Sequence, residues 1–124
     1  MAGTIVADTI QDGAGNSTAM DNAIYGSAKA WVRFSGISSV TVNASYNVSS
    51  VTRNGTGDYS ITFTNAFTDT NYVVTGTCQQ ATGNYGSCVN FPYTSAPTTS
   101  VARIVTAYYT AVSDSGYVSV AVFR

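Results

Sequence analysis

The sequence predicts an all-β fold, an antiparallel β-sandwich or jelly roll of roughly eight or nine short strands. Three observations predict it. The chain has no Leu, no Glu and a single Lys, while Thr, Ser and Val supply 48 of its 124 residues. Good helix formers are therefore scarce and β-branched residues abound. Apolar and polar residues alternate with a period of two in several stretches. Gly, Asn and Asp cluster between those stretches, where tight turns need them.

Residues 1–26 read as a strand and a flexible attachment segment. Thr4 to Ile10 alternates weakly and runs into Asp12-Gly13-Ala14-Gly15-Asn16-Ser17, a turn. Thr18 to Ala23 is the one stretch suited to a helical turn, and it is too short to stand alone. Residues 27–124 read as the sandwich domain. Ser27 to Phe34 is a strand with Ala28, Ala30, Val32 and Phe34 on one face and Lys29, Trp31 and Arg33 on the other. The Trp31 ring lies between two cations. It is read either as a cation–π element of an exposed sheet or as a ring covered by a neighbouring subunit or loop.

Val40 to Ala44 is a further short strand or a lead-in. Ser45 to Thr64 is expected to be a hairpin turning at Asn54-Gly55-Thr56-Gly57-Asp58, with Tyr59, Ile61 and Phe63 on its apolar face. Tyr72 to Thr77 and Cys88 to Tyr93 are strands, the latter closed by Pro92, which has no N–H to donate. Val101 to Tyr109 and Tyr117 to Arg124 are the last two strands, joined through Ser113-Asp114-Ser115-Gly116.

Charged residues make up 9% of the chain, against roughly 25% in ordinary soluble domains. Hydroxyls, amides or neighbouring subunits must keep such a surface in solution. Lys29, Arg33, Arg53, Arg103 and Arg124 are scattered, so there is no concentrated positive field and nucleic-acid binding is not expected. No apolar run is long enough to span a bilayer as a helix, and no basic-then-apolar leader opens the chain, so neither membrane insertion nor a signal peptide is expected.

Catalytic machinery is thin. Without His there is no Ser-His or Cys-His couple, and no cofactor or metal is expected. The six Asp all stand in apparent turns, where a short carboxylate caps nearby N–H groups, and the chain is not expected to be an enzyme. Cys78 and Cys88 end and begin successive predicted strands. If those strands pair they are placed for a disulfide; otherwise they are two thiols. The polar loop from Gln79 to Ser87, with Thr94 to Ser100 beside it, joins amides and hydroxyls to aromatic rings. Gln79, Gln80, Asn84, Tyr85 and Tyr93 are the candidate receptor contacts.

Three segments taken together resemble a module found in bacteriophage tail-fibre proteins, including those of marine phages. They are Ser27-Ala28-Lys29-Ala30-Trp31-Val32-Arg33-Phe34-Ser35-Gly36, Ala44 to Val51, and Asn54 to Thr64. The ending Tyr117-Val118-Ser119-Val120-Ala121-Val122-Phe123-Arg124 resembles the way that module stops. The resemblance implies a distal, homotrimeric β domain of a virion, assembled in the host cytoplasm and acting outside the cell. Its implied partners are other virion proteins and a host-surface glycan or protein. A capsid-decorating or head-fibre protein, docked through residues 1–26 and without a receptor role, is the alternative expectation.

Overall fold

A computed structural model of the chain describes residues 3–79 and 87–124, with residues 87 and 88 described by their backbone alone. It is an all-β antiparallel sandwich. One sheet has four strands in the order β4 (Thr41–Tyr46), β3 (Ala30–Ser35), β11 (Val118–Phe123) and β7 (Val73–Cys78). The other is built around β9 (Val101–Tyr108), which pairs with β6 (Asp58–Phe63), β8 (Ser87–Asn90) and β10 (Ala111–Val112), while β6 pairs in turn with β5 (Val48–Gly55).

The core lies between the central strands and follows the period of two. Ala30, Val32 and Phe34 of β3 and Val118, Val120 and Val122 of β11 point inward from one sheet. Tyr59, Ile61 and Phe63 of β6 and Ala102 and Ile104 of β9 meet them from the other. Phe34 and Tyr59 touch edge to face across the sandwich at 5.1 Å between centroids, and Phe63, Phe67 and Tyr72 close one end of the core as an aromatic cluster.

The hairpin expected over Ser45 to Thr64 is present as β5–β6, but its first strand begins at Val48 rather than Ser45. β4 ends at Tyr46, and the chain changes sheet at Asn47. The physical reason is Asn47, which takes a left-handed φ of 53°. Its side-chain amide donates to the carbonyls of Lys29 and Asn65, and its Oδ1 accepts from the N–H of Asn65. These bonds replace the ladder bonds that a continuous strand would have made. The pairing of β7 with β8, which the sequence left open, does not occur: β7 pairs with β11 in one sheet and β8 with β9 in the other. Cys78 is thus opposite Val118, and the backbone of Cys88 is opposite Ala107. The side chain of Cys88 lies outside the described residues.

Residues before β3 form a separate small unit. β1 (Thr9–Gln11) and β2 (Ser17–Ala19) make a hairpin, and α1 (Met20–Gly26) follows, longer by three residues at its end than the helical turn expected from sequence. Asp12 organises the hairpin turn by accepting the N–H groups of Ala14 and Asn16, each at 2.9 Å. None of the described residues of this unit is buried, and Ile5, Val6, Ile10 and Ile24 are exposed.

Candidate functional site

The four-stranded sheet turns its polar-sorted face outward, and two rows of cross-strand neighbours build a groove there. One row is Tyr46, Trp31, Ala121 and Thr75 across β4, β3, β11 and β7; the next is Ala44, Arg33, Ser119 and Thr77. With strands about 4.8 Å apart, each row spans roughly 14 Å. Small side chains at Ala44, Ser119 and Ala121 leave a depression of about 450 Å³ beside the large ones, with Gly76 at its floor. Gly76 has no room for a side chain, because a Cβ there would stand 2.8 Å from the Ser119 carbonyl.

Trp31, which lines the groove, is 41% exposed, and Tyr46, its cross-strand partner on β4, is 58% exposed. The Trp31 indole N–H and the hydroxyls of Thr75, Thr77 and Ser119 make no hydrogen bond among the described residues, and each is available to a ligand. The cation–π contact of this face does not involve Trp31: the Arg33 guanidinium stands 4.8 Å from the ring centre of Tyr117, the next outward residue along β11's approach. Lys29 turns away and donates to the Ile24 carbonyl and to Ser27 Oγ.

The groove and the candidate loop contacts meet only in part. Gln79 is exposed at the end of β7, its N–H donating to the Tyr117 carbonyl at 2.7 Å, which brings it to the Arg33–Tyr117 end of the groove. Tyr93 is fully exposed and does not line the groove. Gln80, Asn84 and Tyr85 lie outside the described residues. Sequence reasoning marked Trp31 and Arg33 as sharing a face, but not Thr75, Thr77, Ser119 or Ala121. The alternation of Ser119 and Ala121 in β11 was legible; which strands lay beside β3 was not.

Three of the six carboxylates are bound to arginines. Arg103 forks onto Asp58, and Arg124 onto Asp69. In each pair the guanidinium hydrogen bonds hold the carboxyl below its usual range. Asp114 is the most heavily engaged. It accepts from Arg53 Nη2 at 2.8 Å, from the Gly57 N–H at 2.7 Å and from the Tyr59 hydroxyl at 2.8 Å. Arg53 is the main cause of its pKa falling to about 2. These groups clamp the β5–β6 turn to the β10–β11 connection. Among the described residues no three His, Cys, Asp or Glu side chains gather where they could hold a metal ion. No helix is long and apolar enough to cross a membrane among the same residues.

Comparison with protein-family models, with curated proteins and with solved structures finds no match for this chain.

Proposed function

We propose that this chain is a bacteriophage virion protein of the tail-fibre-tip kind, whose sandwich binds a host-surface glycan in the Trp31 groove. The observation that carries the binding role is an open depression of about 450 Å³ lined by exposed Trp31 and bordered by hydroxyls with no hydrogen-bond partner among the described residues. A flat aromatic face with a negative quadrupole suits the C–H face of a sugar ring. Unpaired hydroxyls beside it suit the ring's own hydroxyls, and a rigid sheet holds both in place before binding. The virion assignment is supported by the tail-fibre resemblance of the segments above.

Binding of the purified protein to an array of bacterial surface polysaccharides tests this reading. Trp31→Ala should leave the melting temperature within a few degrees and weaken binding at least tenfold, as expected for loss of a central aromatic anchor. A folded protein that binds no glycan, or one whose binding ignores Trp31→Ala, would overturn it.

The second part of the proposal is attachment. The β1–β2–α1 unit carries exposed Ile5, Val6, Ile10 and Ile24, and none of its described residues is buried, which supports a role in joining three copies to each other and to a further virion protein. Light scattering should give a trimer at micromolar concentration, and Ile10→Asp with Ile24→Asp should shift it towards monomer. A monomeric wild-type protein would refute the trimer. Loss of particle incorporation on deleting residues 1–26, from a folded protein that binds no glycan on the array, would favour the decoration or head-fibre role instead.

A further inference from the structure

The glycan reading leaves the chemical class of the sugar open, and the cations of the chain narrow it. Arg53, Arg103 and Arg124 are each neutralised by an Asp, and Lys29 is occupied by a backbone carbonyl and a hydroxyl. Arg33 is different. It lies in the second row of the groove, between Ala44 and Ser119, and among the described residues no carboxylate reaches it. Its guanidinium carbon stands 4.8 Å from the ring centre of Tyr117, and among the described residues its N–H groups make no side-chain hydrogen bond.

Arg33 is exposed, so its guanidinium is open to a ligand arriving from solvent, and its cross-strand neighbours Ala44 and Ser119 carry no charge to compete for it. The planar fork of N–H donors matches a carboxylate, which it can bind through two parallel hydrogen bonds. Trp31 is two residues away on the same strand face, roughly 7 Å along β3. A sugar ring stacked on Trp31 would thus carry its substituents to the guanidinium edge.

We infer that the Trp31 groove selects an acidic saccharide, with Arg33 binding the carboxylate of a uronic-acid-type residue while Trp31 stacks on the sugar face. This rests on the groove being the glycan site. It adds that the ligand is anionic and that Arg33, not a loop residue, distinguishes it from neutral sugars.

The test takes the best-binding polysaccharide from an array that holds acidic and neutral bacterial glycans. It compares that glycan with its carboxyl-reduced form, against wild type, Arg33→Gln, Arg33→Lys and Trp31→Ala. The expected result is an acidic best binder that loses about 10- to 100-fold in affinity on carboxyl reduction, the range for a charged hydrogen-bonded pair. Arg33→Gln should lose a similar factor and should no longer respond to carboxyl reduction. Arg33→Lys should recover only part of the loss, because a point charge lacks the fork. A neutral best binder, or an acidic one whose affinity survives both carboxyl reduction and Arg33→Gln, would overturn the inference. In that case continued sensitivity to Trp31→Ala would leave the glycan site standing. Failure of every glycan to bind the folded protein would overturn both.

Discussion

Removing the charge of Asp114 should unlock one end of the sandwich, and the size of the effect can be worked from its contacts. In Asp114→Asn the side chain keeps its shape and can still accept one hydrogen bond. It loses the charge that faces Arg53 and acquires an amide donor where only acceptors are wanted. The Asp114 carboxyl is drawn from 3.8 to about 2 in the folded chain, first by the hydrogen bonds from Arg53 and then by those from Gly57 and Tyr59. A shift of that size corresponds to roughly 2 to 3 kcal/mol of stability. With the side chain 20% exposed, water screens part of it, and about 2 kcal/mol is the expected loss. For a domain of this size that is a fall of roughly 8 °C in melting temperature at pH 7.

The sign with pH follows from the direction of the shift. The folded pKa is below the unfolded one, so the stabilisation is complete above the unfolded value and disappears as pH falls from 3.8 through 2. Urea unfolding of wild type and Asp114→Asn at pH 7 and at pH 2 should therefore show a gap of about 2 kcal/mol that mostly closes in acid. A gap below ~0.5 kcal/mol at pH 7, or one of equal size at both pH values, would refute the clamp.

Tyr59, buried and donating to Asp114, is pushed up to about 12, burial being the larger cause. Its folded pKa lies above its unfolded one, so its stabilising share is full below pH 10 and is lost as pH rises towards 12; Tyr59→Phe should remove this alkaline step from a tyrosinate absorbance titration followed together with unfolding. Gly57→Ala should cost on the order of 3 kcal/mol in urea unfolding, because φ is +62° and a Cβ would stand 2.6 Å from both the Ser113 nitrogen and the Thr106 carbonyl oxygen. Asn47→Ala should cost about 2 kcal/mol through lost hydrogen bonds and a strained φ, and Asn47→Gly should recover only the part due to φ.

The sequence by itself determined the fold class and the inward residues of the central strands. Alternation assigns a side chain to one face or the other whatever the strand's neighbours are. So Val32, Phe34, Tyr59, Ile61, Val118 and Val120 were legible as a core, and Trp31 and Arg33 as outward. The Asn54-Gly55 to Gly57-Asp58 turn was legible for the same local reason, since positive φ is a property of the residue itself.

Only the tertiary structure decided which strands lie side by side. Pairing depends on contacts between residues far apart in the chain, and similar β-branched segments satisfy many orders equally well. The change of sheet at Asn47 and the placing of β7 and β8 in opposite sheets were therefore not readable beforehand. The candidate site divides along the same line. Trp31 and Arg33 sit on one strand, two residues apart, and their shared face is local information. Thr75, Thr77, Ser119 and Ala121 join them because β11 packs between β3 and β7, and that adjacency exists only once the sandwich has closed.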